Sequence, residues 1–311
     1  MQHSFKTTLA LVLAGTTLAL PVSAQENTAG DTMEMENCEL LVPGTPLSTV
    51  GQCGWLKMPE NPADPAGRQI DIHVARIPAR GRVTEPDPLV FFAGGPGQAA
   101  TESWPIVARA LYKVTESRDV LLVDQRGTGQ SNPMKCPQVE LEDALGTDWE
   151  QVAEHTRECL AAVDGDPRFY TTTIAMADID AARKALGYDK VNLYGGSYGT
   201  RAAQVYYRLF PEQVRTIVLD GVVPQTLGLG TEHAMKLDQA IYRVLDGCEA
   251  DPECSDKFPG TPQKLRDLVR FSIEQPVDVT VDHPTTGEPF TLTFNQEVLA
   301  SALRFLTYSP E

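Results

Sequence analysis

Ser197 lies in the run Gly195-Gly196-Ser197-Tyr198-Gly199, a G-x-S-x-G pattern. A serine hydroxyl attacks a carbonyl well only when a base takes its proton, and the base needs an acid to orient it. The pattern suits such a serine when a strand precedes it and a helix follows. The residue must then occupy a sharp turn, and glycines at 195 and 199 keep Cβ atoms out of the crowded backbone there. The following helix turns the positive end of its dipole toward developing negative charge. The peptide N–H of Tyr198 can donate to an oxyanion at that point. A second donor has to come from the loop after another buried strand. Ala93-Gly94-Gly95-Pro96-Gly97 has that placement. Gly95 is the candidate donor, with Gly94 next. Alone, this stretch would read as a tight turn; together with the serine pattern it reads as the second half of an oxyanion hole.

The base and acid are harder to find. Only His233 and His283 follow Ser197 in the chain. His283 falls in an expected hairpin turn and reads as a solvated surface residue. His233 opens an expected helix, and Asp220 precedes it, so Ser197, Asp220 and His233 form a candidate nucleophile–acid–base order. His73 sits on the polar side of an alternating strand and reads as a surface residue. Asp124 and Arg126, in "VDQRGTGQS", read as structural: an aspartate bonded to turn amides and an arginine paired nearby. Asp178 and Asp180 read as helix N-terminal residues that complement the dipole.

Several elements have to position these groups. "RQIDIHVARIP" alternates Ile70, Ile72 and Val74 with polar residues, the mark of a half-buried strand. Leu89 to Ala93, Val120 to Val123, "VNLY" and "RTIVLD" are continuous apolar runs, the mark of parallel strands covered on both faces. Helical patterns at 101–116, 149–163, 176–186 and 198–209 separate them. Strands alternating with helices predict a mostly parallel α/β sheet with helices on both faces. Beyond Gly221 the pattern changes. A helix, a cysteine-stapled loop, a helical segment at 262–275, a hairpin turning at 284–287 and a helix capped by Asn295 follow. Residues 225–311 are expected to form an inserted, mainly helical cap on a core spanning 25–224.

Residues 1–24 carry Lys6, an apolar run from Leu9 to Leu20, and Val22-Ser23-Ala24. This is the pattern of a signal peptide cleaved after Ala24, and the run is short for a membrane span. Residues 25–37 read as polar and mobile. Six cysteines in an exported chain point to disulfides. Their local pairing is Cys38–Cys53, Cys136–Cys159 and Cys248–Cys254. The spacing matches no metal site, and no cofactor motif is present. A net charge of −16 argues against nucleic acid and anionic membranes as partners. Neither nucleic-acid binding nor stable membrane insertion is expected.

In this order, "FFAGGPGQAA", "VDQRGTGQSNP" and "LYGGSYGTRAAQVYYRLFP" resemble the proline iminopeptidases and tripeptidyl aminopeptidases of the α/β-hydrolase fold. "IVLDGVVP" resembles the exported, tripeptidyl-aminopeptidase-like branch. Ala93 departs from the histidine that proline iminopeptidases carry before GGPG. The resemblance implies a serine hydrolase, an exported aminopeptidase that releases Pro-X or tripeptide pieces from peptide N-termini. A carboxylesterase acting on small esters, or a non-catalytic binding protein, are the alternatives. Glu232, Glu249 and Glu253 are the cap carboxylates available for a substrate's amino group, although each also reads as a solvated surface residue. The family places its acid and base on core strands that return after the cap. Such strands are not seen before Glu311, so the expectation is a chain lacking its C-terminal core, with an exposed sheet edge and an incomplete triad.

Overall fold

The computed structural model describes residues 33–137, 149–228, 230–283 and 286–307. The expected signal peptide at 1–24 and the 284–285 part of the hairpin turn lie outside the described residues.

Seven strands form one sheet in the order β1-β2-β3-β5-β4-β6-β7. They are β1 (Glu36–Leu41), β2 (Ser48–Pro59), β3 (Gln69–Ile77), β4 (Leu89–Phe92), β5 (Val120–Val123), β6 (Val191–Gly196) and β7 (Val214–Asp220). β5, β4, β6 and β7 run parallel. β1, β2 and β3 are an antiparallel meander that joins β5 through β3. The helices are α1 (Ala100–Val107), α2 (Val114–Ser117), α3 (Trp149–Ala162), α4 (Thr172–Ala185) and α5 (Tyr198–Leu209) in the core region. Then come α6 (His233–Ala250), α7 (Pro252–Lys257), α8 (Thr261–Glu274) and α9 (Gln296–Leu306).

The apolar runs work because both faces of the central strands are covered. Along β4, Val90 and Phe92 join the cluster beneath α4 and α5, with Met176, Ile179, Ala203 and Tyr206. Leu89 and Phe91 point the other way, toward Ala100 and Trp104 of α1. β5 divides likewise, Leu121 and Val123 against Val120 and Leu122. Each fully buried side chain of this size contributes about 1.5–3 kcal/mol, so the sheet centre is the firmest part of the molecule.

Two expectations change here. The single helix expected at 101–116 is two helices, interrupted by turns at 108–113. The polar stretch at 25–37 runs into β1, which pairs with β2 from Glu36↔Cys53 to Leu41↔Ser48. Three disulfides join the expected partners, Cys38–Cys53, Cys136–Cys159 and Cys248–Cys254. The first staples β1 to β2 and the last ties α6 to α7.

Beyond residue 230, α7 and α8 each pack on α6, and α9 packs on α8 and on the strand Pro289–Phe294. β8 (Val277–Asp282) and β9 (Pro289–Phe294) form a separate antiparallel hairpin. The Asn295 side chain caps α9 by accepting from the Val298 N–H at 3.0 Å.

Candidate active site

β6 ends at Gly196 and α5 begins at Tyr198, so Ser197 is the whole turn between them. Its φ of 53° and ψ of −120° are positive-φ values that a non-glycine residue adopts only under constraint, at a cost of about 1–3 kcal/mol. The constraint is visible. The Ser197 N–H donates to the Asp220 carbonyl at the end of β7 (2.8 Å). The Ser197 carbonyl accepts from the Thr200 N–H (3.0 Å) and hydroxyl (2.7 Å). The Thr200 hydroxyl in turn accepts from the Val223 N–H (2.8 Å).

The flanking glycines are required by contact. A Cβ on Gly195 would lie 2.3 Å from the Gly199 carbonyl oxygen. One on Gly199 would lie 2.1 Å from the Phe92 carbonyl oxygen. α5 therefore starts directly against the end of β4, and only glycine fits at that crossing.

The Gly94–Gly97 loop leaves β4 beside the elbow, because Phe92 pairs with Gly195 in the sheet. A Cβ on Gly94 would come within 3.4 Å of Ser197 Cβ. Gly95 has φ +103° and a Cβ there would sit 2.8 Å from the Gly97 nitrogen, so its backbone form also depends on glycine. Ala93, at the departure from the family pattern, is packed in the α1-side core.

Asp124, at the end of β5, ties the surrounding loops together. Fully buried, it accepts from the Thr101 N–H (3.0 Å) and hydroxyl (2.9 Å) at the start of α1, and from the Gln130 N–H (3.3 Å). His73 Nδ1 donates to the same carboxylate at 3.1 Å. The surface reading of His73 is thus corrected: it is 3% exposed, with the Trp55 ring tilted against it at a centroid distance of 4.9 Å. At this point of β3 the Trp55 ring, the Asp124 carboxylate and the Ser131 hydroxyl, which accepts from the His73 N–H, cover the outer face, and alternation alone does not reveal that.

Asp178 and Asp180 are also corrected. α4 begins at Thr172, capped by Thr171, which puts both aspartates in mid-helix and buried. Asp178 holds Arg126 through two bonds (2.7 and 2.8 Å). Burial pushes its carboxyl above the usual range against the pull of Arg126. Arg126 also donates to the carbonyls of Glu60, Phe169 and Pro59. Asp180 accepts from Arg183 (2.7 Å) and the Tyr206 hydroxyl (3.0 Å).

The candidate acid and base are not joined. The Asp220 carboxylate accepts from the Tyr194 hydroxyl (2.6 Å), and that bond, with burial, pushes the phenol up to about 12. His233 Nδ1 accepts from the Gly230 N–H (2.7 Å). Among the described residues no hydrogen bond links His233 to Asp220 or either side chain to the Ser197 hydroxyl. His283 accepts from Thr286 N–H and rests edge-on against Phe290. Of the cap carboxylates, Glu253 pairs with Lys257 (2.8 Å); Glu249 and Glu253 are exposed and Glu232 is half-buried.

Sequence reasoning did not single out Thr200, Thr101 or Thr172. Thr200 stands three residues after the serine, the spacing at which a hydroxyl reaches back to a turn carbonyl, so that signal was present. Thr172, whose hydroxyl bonds the Tyr198 phenol at 2.6 Å, left no such mark.

Among the described residues no helix is long and apolar enough to cross a membrane. Serine protease Hip1 of Mycobacterium tuberculosis is 30% identical over 329 residues, covering 97% of this chain and 62% of that protein. Tripeptidyl aminopeptidase of Streptomyces lividans is 32% identical over 192 residues, 55% of this chain and 35% of the relative. Proline iminopeptidase of Neisseria gonorrhoeae is 30% identical over 135 residues, covering 43% of this chain and 32% of the relative. The chain thus spans less than two thirds of the length of these relatives. The sequence profile of the alpha/beta hydrolase fold matches residues 87–246, the stretch that runs from β4 through the elbow into α6. A serine on a tight turn between β6 and α5, beside a glycine loop from the next strand, is the feature around which that fold is organised, and this chain belongs to the α/β-hydrolase family.

Proposed function

We propose that Ser197 is the nucleophile of a serine hydrolase, an exported aminopeptidase that releases short N-terminal pieces, Pro-X or tripeptides, from peptides. The observation that carries this reading is the positive-φ conformation of Ser197, clamped by Asp220 and Thr200. Strain of this kind persists where the surroundings over-determine it, as at reactive turns. In the first step Ser197 Oγ attacks the scissile carbonyl and passes its proton to a general base, which then delivers it to the departing amine nitrogen. The Tyr198 and Gly95 N–H groups receive the oxyanion. Collapse expels the amine and leaves an acyl-serine, which water then hydrolyses.

Asp220 and His233 are the acid and base that this sequence offers in the right order. For Asp220 to orient the ring, His233 Nδ1 would have to give up the Gly230 N–H. The helices and hairpin of residues 225–311 would serve as the cap over the site. Export is supported by the three disulfides, which persist in oxidising compartments.

The test is turnover of an aminoacyl arylamide and of an aryl ester, with free and blocked N-termini, by the wild type and by Ser197→Ala. Loss of both activities in Ser197→Ala is expected, together with loss of fluorophosphonate labelling. Turnover that survives the substitution would refute the assignment. Efficient ester cleavage with no arylamide cleavage would favour the carboxylesterase reading.

A further inference from the structure

A cavity of about 520 Å³ opens beside the elbow. It lies between the Pro96–Gly97 turn, the 125–128 loop, Met134, Tyr170 and the ring of Tyr198. We propose that this cavity is the subsite for an uncharged apolar or aromatic side chain of the substrate residue next to the scissile bond. The inference rests on Ser197 as the nucleophile.

Three observations carry it. The first is position. Tyr198 supplies both the proposed oxyanion N–H and a wall of the cavity, and Pro96 and Gly97 belong to the other oxyanion loop. A carbonyl seated in the oxyanion hole therefore has the cavity within reach of the side chain that adjoins it. Tyr198 is held in place by its bond to Thr172 and is 8% exposed, so the wall is preformed.

The second is charge. Arg126 borders the cavity, but its guanidinium is fully engaged by Asp178 and three backbone carbonyls. The Tyr170 hydroxyl donates to Glu60 (3.0 Å) and accepts from Asn132 (2.6 Å), and burial above all pushes that phenol up to about 12. Among the described residues that line the cavity, a carboxylate or ammonium would meet no unpaired countercharge, and it would lose its hydration on entering. An apolar side chain loses nothing of that kind and gains by leaving water.

The third is room. The volume falls within the range of small-molecule sites. Gly127, at φ +88°, keeps the space open, since a Cβ there would press to 3.0 Å on the Tyr170 ring.

The test measures binding rather than turnover, so it does not depend on the catalytic reading. The full chain carrying Ser197→Ala is titrated calorimetrically with the N-acetyl amides of phenylalanine, leucine, aspartic acid and lysine. The two neutral amides are expected to bind at least tenfold more tightly than the two charged ones. Adding Met134→Trp, at a half-buried loop position, fills the mouth and should abolish the difference. Adding Met134→Ala should keep it and shift preference toward phenylalanine. Circular dichroism checks that each variant folds. Equal binding of all four amides, binding of none, or discrimination that survives Met134→Trp would overturn the proposal. Selective binding by a wild type that turns over no substrate would leave the subsite standing and sink the nucleophile assignment. Turnover by the wild type without selective binding would do the reverse.

Discussion

Gly199→Ala tests the crossing of α5 and β4 directly. The added Cβ would lie 2.1 Å from the Phe92 carbonyl oxygen, 2.8 Å from its carbon and 2.9 Å from the Ala93 oxygen. Comfortable carbon contacts begin near about 3.5 Å, so the shortfall exceeds about 1 Å. Its neighbours are backbone atoms at the sheet centre, which do not swing aside. Overpacking of this kind costs about 1–3 kcal/mol. Alanine recovers up to about 1 kcal/mol of helix propensity over glycine. With the full offset the net loss is up to about 2 kcal/mol, a fall in Tm of up to roughly 4–8 °C for a domain of this size. The start of α5 must retreat from β4, and the Tyr198 N–H moves with it. A displacement of about 1 Å in a catalytic group can cost about 100-fold in rate, so arylamide turnover should fall far more than stability does. Gly196→Ala is the stability control, since no atom lies within 4 Å of its added Cβ, and its Tm should change little. Calorimetry and initial rates on both variants decide the matter. A Gly199→Ala protein with raised Tm and unchanged turnover would refute the packing argument.

Removing Arg126 while Asp178 stays buried leaves an uncompensated carboxylate, so Arg126→Ala should cost about 3–5 kcal/mol in urea unfolding, while an unchanged midpoint would show that the pair contributes little. Burial works against ionising Asp180, yet Arg183, Lys184 and Tyr206 hold its carboxyl below the usual range. A depressed folded pKa adds stability that is complete above the unfolded value, about 3.9, and is lost as pH falls through the folded one. Asp180→Asn should therefore flatten the acid limb of the stability curve below about pH 4, and an unaltered limb would contradict this. The Cys38–Cys53 bridge closes a loop with a sequence separation of 15, worth about 3 kcal/mol on the chain-entropy account. The double variant Cys38→Ser/Cys53→Ser should lose that amount in non-reducing denaturation, and a loss below about 1 kcal/mol would show that β1 is held chiefly by its pairing.

The four parallel strands were legible because β4 and β5 are buried on both faces, which leaves an uninterrupted apolar run in the sequence. The elbow was legible because its glycines answer to a backbone contact that no other residue allows. β1 and β2 were not legible. "STVGQCGWLKMP" carries two glycines and no steady alternation, and its stability comes from pairing with distant strands and from a disulfide. His73 was misread because strand alternation describes a sheet with one wet face, whereas β3 has none at that position. Asp178 and Asp180 were misread because their partners, Arg126 and Tyr206, lie 52 and 26 residues away. Local pattern favours a helix terminus for such residues, and only tertiary contact moves them inside. The acid and base were legible as an order of residues but not as a contact.

Phe92 and Gly195 are paired neighbours in the sheet, and the glycine loop and the serine turn both spring from that pair. Adjacent strands are spaced by about 4.8 Å whatever their side chains. The separation of the two turns is therefore a repeat distance of the sheet and not a property of either loop. Substitutions further out along the loops can reshape what surrounds the serine without changing that gauge. The two turns should also share a fate in time: slow hydrogen exchange at one should be matched at the other, because loosening either means parting the same two strands.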